Sequence, residues 1–460
     1  MAIPAAASEA GAGGARPGRA PLRRTIGLDV AVALVVANTI GSGIFTTSGF
    51  IARDIGSPWW LIGLWIAGGL IESIGALSYS ELSAAMPEAG GEYVYLREAF
   101  GPLVSYLSGW TSFFVGFSGA IAAAALALIG YMHHLTAIPD ASGIGGKLIA
   151  IAVLAVLTAV HISGLRAGGV LQRILTVGTI AAIVALIVGG FLSGHGNFAN
   201  FGSHGRAHGN AAVSLIFVLY AYSGWNSAAY VAEEIRDPQR NLPRALLIGI
   251  AVVIFLYAGM NLLYLYALPI PAMSGVLAVA EKASVKLFGP AAAVGITAVL
   301  ALAILNSASA MVVAGPRVYF AMARDRVFPS GIASINPFFG TPARAMVLQA
   351  IWSSVLILFF GAFEKVVLYT GFAVIIFSGL SVTSLIVMRV RRPGMTRPFR
   401  IPGHPWLPAA YVAVLSWIVL YVLFTRPEEA LTSLAVVAFG LPWYFLSKWL
   451  QPAVPVPPNS

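Results

Sequence analysis

The chain has 460 residues, of which 58% are hydrophobic and only 10% charged, against about 25% charged in soluble domains. A packed soluble protein of this length does not hide so much apolar surface, so lipid is the solvent for most of it. The net charge of +10 would point to nucleic acid in a soluble protein; the absence of cysteine excludes disulfides, thiolate metal sites and a disulfide-linked partner subunit.

In chain order, residues 1–24 are rich in Ala, Gly, Pro and Arg and lack the apolar core of a signal peptide, so a disordered basic cytoplasmic tail is expected. Twelve apolar runs long enough to cross a bilayer follow, at 28–52, 59–84, 100–132, 147–165, 170–193, 211–234, 243–268, 290–320, 343–363, 366–389, 405–424 and 429–449. The chain thus reads as an all-α integral membrane protein with twelve transmembrane helices. Residues 87–98 read as a turn-rich loop. Residues 194–210 form a Gly- and His-rich loop, whose His195, His204 and His208 fit a flexible loop better than a metal site. In 236–243, Asn241 is expected to cap the seventh span, with Pro243 in its first turn. Residues 451–460 read as a proline-rich extended tail.

Two of the runs break in the middle. The first carries Gly41-Ser42-Gly43 and the sixth carries Ser223-Gly224. Glycine costs a helix about 1 kcal/mol relative to alanine, and unwound backbone survives in a bilayer only where it lines a protein cavity. Interrupted segments at matching places in two halves point to a transporter's binding site. The breaks lie five spans apart, and five is odd, so a repeated five-span unit must invert. The expected organisation is a first repeat over 25–193, a second, inverted repeat over 211–392, and a peripheral helix pair over 405–449. With the N-terminus inside, twenty of the 27 Lys and Arg residues fall on the cytoplasmic side, which places both termini in the cytoplasm. The charge near 389–400 then suits anionic membrane lipid, with no nucleic-acid partner.

Ile40-Gly41-Ser42-Gly43-Ile44-Phe45, Ala89-Gly90-Gly91-Glu92-Tyr93, Ala221-Tyr222-Ser223-Gly224-Trp225-Asn226 and Glu233-Glu234-Ile235-Arg236-Asp237-Pro238 resemble the amino acid–polyamine–organocation (APC) superfamily. Bacterial relatives of the L-type amino acid transporters look closest, over about residues 24–449. The resemblance implies a leucine-transporter-like 5+5 inverted repeat with helices 1 and 6 broken, and alternating access at a cell (inner or plasma) membrane. An α-carboxylate suits the half-helix N-terminus after the first break, at Ser42 and Gly43, flanked by Ile40, Gly41 and Ile44. The α-ammonium would go to freed carbonyls at Tyr220, Ala221 and Ser223, beside Gly224. Tyr220, Tyr222, Trp225 and Asn226 are expected to wall the side-chain pocket, and by resemblance the aromatic at Tyr220 closes over the substrate.

The sequence departs from that family twice. Thr179 stands where many L-type relatives carry a lysine, and Ser307 and Ser309 are expected nearby. A sodium-like oxygen site and a polar, water-filled gap are the two readings, the second favoured. Glu72 sits mid-way along the second span on a stripe with Gly68, Gly75, Ala76 and Tyr79. It reads either as a proton carrier or as a neutral acid bonded to a neighbouring helix, the latter favoured. Glu233 and Glu234 are expected to pair with Arg236, Arg240 or Arg244, and Arg324-Asp325-Arg326 to form a solvated turn.

No phosphate-cradling loop, metalloprotease motif or nucleophile–base pair is present. The expected protein is a permease exchanging neutral amino acids, without cofactor or metal. Neutrality is argued from an expected lack of acidic side chains in the pocket. Proton or sodium symport, cationic amino acid or polyamine transport, and an amino-acid sensor remain as alternatives.

Overall fold

The computed structural model describes residues 22–135, 138–209, 211–359, 363–425 and 427–449; of the tail expected at 1–24 only residues 22–24 are among them, and the tail expected at 451–460 lies outside them. The fold is all-helical. The first run is two helices, α1 (Leu28–Thr39) and α2 (Ser42–Ile55), followed by α3 (Pro58–Ala85) and the short α4 (Glu92–Phe100). α5 (Pro102–Thr111) continues through a π-helical turn at Ser112–Gly116 into α6 (Phe117–Leu135); α7 (Ile144–Ile162) and α8 (Leu165–Leu192) follow. α9 (Ala211–Tyr222) and the single-turn α10 (Ser227–Tyr230) are the broken sixth run. Then come α11 (Pro238–Ala267), α12 (Ile270–Met273), α13 (Val279–Phe288), α14 (Pro290–Arg324), α15 (Ala343–Phe359), α16 (Phe363–Arg391), α17 (Trp406–Thr425) and α18 (Pro427–Trp449).

Among the described residues, ten helices are long and apolar enough to cross a membrane, counting α1–α2 as one, and α9 and α15 are shorter apolar helices. The first of the ten is 72% buried and the last 22%, which puts the broken helix at the centre of the bundle and α18 on its lipid-facing rim. α1 packs on α11, α8 and α14, and α9 packs on α2 and α3, so the two breaks meet inside one core.

Five local expectations are corrected. Residues 87–98 are turn only as far as Gly91; α4 begins at Glu92, because Gly90 (φ +114°) and Gly91 (φ +53°) supply the left-handed turn that lets a helix restart. α11 starts before Asn241: Asp237 caps it in a left-handed conformation and Pro238 occupies the first position, so Asn241 and Pro243 lie inside the helix. Glu233 and Glu234 pair across the fold, Glu234 with Arg317 (2.8 Å) and Glu233 with Arg324 (3.0 Å). Arg324 and Asp325 therefore belong to no solvated turn, since Asp325 also holds Arg97 at 2.6 Å. At the start of the chain, Leu22 to Ile26 are ordered: the amides of Thr25 and Ile26 donate to the Glu234 carbonyl, and the Leu22 amide donates to the Glu233 carboxylate.

The Arg317–Glu234 pair is almost fully enclosed, 1% and 0% exposed. Two buried charges persist in such a place only when each is hydrogen-bonded, and Arg317 meets that condition with two contacts to Glu234 and one to the Val313 carbonyl.

Candidate functional site

The first break is built from small residues. α1 ends at Thr39, Ile40 leaves helical geometry, and Gly41 is extended before α2 restarts at Ser42 with no side-chain cap. The first-turn amides of α2 are thus uncapped. The hydroxyls of Thr46 and Thr47 turn back onto the carbonyls of Ser42 and Gly43. Gly43 has to be glycine for contact: a Cβ there would lie 2.7 Å from the Ala221 Cα. The second break follows Tyr222 and turns at Gly224 (φ +99°), where a Cβ would sit 2.5 Å from the Asn38 carbonyl oxygen.

The breaks are bonded to each other. The Asn38 amide donates to the Gly224 carbonyl at 3.0 Å. The Tyr257 hydroxyl lies 2.7 Å from the Thr39 carbonyl and 2.8 Å from the Ala221 carbonyl. A phenol has one proton, so it serves these two carbonyls one at a time; the Thr39 carbonyl also accepts from the Gly41 amide at 2.9 Å. The Tyr220 carbonyl, expected to be free, is instead capped by the amide and hydroxyl of Ser223.

A cavity opens between the breaks, with about 140 Å³ of space for water-sized molecules, roughly ten times what one water needs. Gly41, Ser42, Gly43, Tyr220, Ala221, Ser223, Gly224, Trp225, Asn226, Glu72 and Ser307 all line it. Ile40, Ile44, Tyr222, Thr179 and Ser309 are not among the lining residues. Tyr222 points away, into a ring cluster with Trp65 and Tyr257. Ile40 and Ile44 are fully buried.

Thr179 and Ser309 belong to a buried polar chain behind the cavity. His161 Nε2 meets the Ser309 hydroxyl (2.7 Å), and Ser309 donates to Gln172 Oε1 (3.0 Å). Gln172 Nε2 in turn donates to Asn306 Oδ1 (2.6 Å), and Asn306 Nδ2 to the Thr179 hydroxyl (3.4 Å). The Thr176 hydroxyl lies 2.7 Å from the Gln172 carbonyl and 3.3 Å from the Ala33 carbonyl of α1. The oxygens around Thr179 are thus already engaged by amide and hydroxyl donors.

The expectation of a pocket without acids is corrected. Glu72 and Glu92 both line the cavity, and no Arg, Lys or His is among the described residues lining it. Glu72 Oε2 accepts from Trp225 Nε1 (2.7 Å) and from the Tyr411 hydroxyl (3.3 Å). Gly75 leaves room for the Trp225 ring, since a Cβ there would lie 2.8 Å from it, and Tyr79 meets the ring edge-on at 4.9 Å. Glu92 Oε2 accepts from the Tyr79 hydroxyl at 3.0 Å, and burial pushes its carboxyl up to about 7.

Sequence reasoning missed Asn38, Tyr257, Glu92 and Tyr411. Asn38 had a usable signal, a polar residue in an apolar run just before Gly41; Tyr257 and Tyr411 had none, since an aromatic in a bilayer ordinarily packs.

Residues 26–444 match the family described as Amino acid permease. The chain is similar to the human large neutral amino acids transporter small subunit 2, 32% identical over 97% of this chain and 84% of that protein. It is also similar to the mouse b(0,+)-type amino acid transporter 1, 30% identical over 92% of this chain and 88% of the relative. The mouse Asc-type amino acid transporter 1 is 28% identical over 93% and 82%.

Proposed function

Because the chain belongs to the amino acid permease family of the APC superfamily, a family of membrane transporters and not of enzymes, we propose that it moves neutral amino acids across a membrane by alternating access, trading one for another. The observation that carries this reading is the uncapped N-terminus of α2 on the wall of the cavity. A half-helix N-terminus carries about half a positive charge and suits an α-carboxylate. The Thr39 and Ala221 carbonyls share one phenol proton, and the Thr39 carbonyl also accepts from the Gly41 amide, which leaves acceptor capacity, chiefly at Ala221, for an α-ammonium with its three donors.

The leucine-transporter-like twelve-span arrangement, with 25–193 and 211–392 as inverted repeats and both termini cytoplasmic, belongs to the same proposal. It is supported by the breaks after α1 and α9 and by the excess of Lys and Arg on one side. In that orientation the Glu233, Glu234, Arg317 and Arg324 cluster sits on the cytoplasmic side and acts as an inner gate, with Leu22 to Ile26 strapped across it.

A second reading, cationic amino acids, is favoured by the two carboxylates of the cavity. Competition against uptake of labelled leucine separates the two. Neutral amino acids should compete, while leucinamide, which lacks the carboxylate, and isocaproate, which lacks the ammonium, should not. Competition by arginine and lysine alone would reject the neutral reading.

A further inference from the structure

Glu72 is the cavity-lining acid that the exchange cycle leaves without a task. Its two hydrogen bonds fall on one oxygen: Oε2 accepts from Trp225 Nε1 and the Tyr411 hydroxyl, and Oε1 has no hydrogen-bond partner among the described residues. A buried carboxylate in its ionised form calls for donors on both oxygens or a counter-charge. A neutral carboxylic acid needs neither, because its carbonyl oxygen accepts twice and its O–H donates outward. Oε1 is left open to the wall of the cavity, where it can hold the O–H of a neutral acid whose carbonyl oxygen, Oε2, accepts twice.

Among the described residues lining the cavity, no basic side chain offsets the charge that ionisation would leave. α17 presents Tyr411, α9 presents Tyr222, the second break presents Trp225, and α4 presents Glu92 beyond Tyr79 of α3 itself. α11 brings Tyr257, already committed to backbone carbonyls. Arg53 of α2 is engaged with Asp54, and Arg389 of α16 with Glu81. The hydrogen-bond partners of Glu72 are therefore aromatic donors, and the other charged group on the cavity wall is an acid.

We propose that Glu72 carries a proton through the transport cycle, so that amino acid movement through this chain is proton-linked. The proposal rests on the transport reading above. Water on one side of the membrane gives a proton to Oε1, the neutral acid crosses with the loaded site, and the proton leaves to water on the other side. A zwitterion and a proton move together, so each inward step carries net positive charge. Exchange is the same cycle run with an amino acid and its proton returning, which moves no net proton; a pH difference drives only the net movement of amino acid. The link to the binding site is Trp225, which directly follows Gly224 in the second break. Rearranging that break moves a hydrogen-bond donor of Glu72, and changing the donors changes the balance between the acid and its anion. A cationic substrate side chain is the other way to supply the charge, and the one-sided hydrogen bonding of Glu72 disfavours it.

The test uses the full purified chain in liposomes with a trapped pH-sensitive dye and no sodium. With wild type, external leucine should acidify the lumen, and an inside-alkaline gradient should raise leucine accumulation by up to about tenfold per pH unit. In Glu72→Gln the proton-to-leucine ratio should fall to zero whatever the residual uptake, and Glu72→Asp should restore it in part. Leucine uptake by wild type with no acidification overturns the proposal without any variant being needed. It is also overturned if Glu72→Gln keeps the wild-type ratio, if the ratio is lost in Glu92→Gln alone, or if arginine enters without protons and leucine does not enter. Wild-type vesicles that neither take up nor exchange any amino acid reject the transport reading itself, and the proposal with it.

Discussion

At the scale of single residues, the site depends on atoms that are missing as much as on atoms that are present. Gly43 lets α2 approach Ala221 so closely that a methyl group would meet backbone. Gly43→Ala should therefore push the two breaks apart and lower amino acid uptake on the order of tenfold or more, read as a rise in KM and a fall in maximal rate in proteoliposomes. Tyr257 acts in the opposite sense, by adding a proton where two carbonyls have lost their helical partners. Tyr257→Phe leaves both buried carbonyls without that donor and should cost about 1–3 kcal/mol. A fall in the thermal unfolding midpoint in detergent checks this, and the fall should shrink when a bound amino acid supplies the missing donors.

At the scale of elements, the two breaks were legible because glycine pairs in apolar runs have few other uses in a bilayer. The long-range partners were not. Glu233 and Glu234 were expected to find the nearest arginines in sequence, but α14 brings Arg317 and Arg324 to them across the fold. Nothing local in the sequence encodes that packing. The start of α11 was misplaced for a related reason: Asn241 is a good cap by residue type, yet Asp237-Pro238 begins the helix earlier and leaves the Asn241 side chain to donate to the Arg236 carbonyl. The buried pair makes a sharp prediction. Arg317→Met strands the enclosed Glu234 charge and should cost about 3–5 kcal/mol, whereas Arg317→Met with Glu234→Leu should recover most of the loss. Unfolding midpoints of the three proteins decide it.

At the scale of the whole molecule, composition was enough to read a helical membrane protein, and the order of motifs was enough to read its family. The acids in the cavity were harder. Glu72 stood out as a charge inside an apolar span, but Glu92 sat in a glycine-rich motif that read as a loop, and only the start of α4 at that residue carries it to the cavity wall. Its burial has a consequence for pH. Because the folded protein raises this carboxyl from 4.5 to about 7, the fold favours the neutral form; the associated stability is complete below pH 4.5 and is lost as pH rises through 7. The unfolding midpoint should fall across that window, and less so in Glu92→Gln.

The central claim, that the cavity between the two helix breaks carries amino acids across a membrane, is tested most directly by counterflow. Purified protein is placed in liposomes at equal pH in sodium-free buffer, either empty or loaded with unlabelled neutral amino acids, and a labelled mixture of the same amino acids is added outside. The account predicts that label enters loaded vesicles well above the level reached in empty ones, and that Gly43→Ala suppresses the difference. No entry into either set would contradict it.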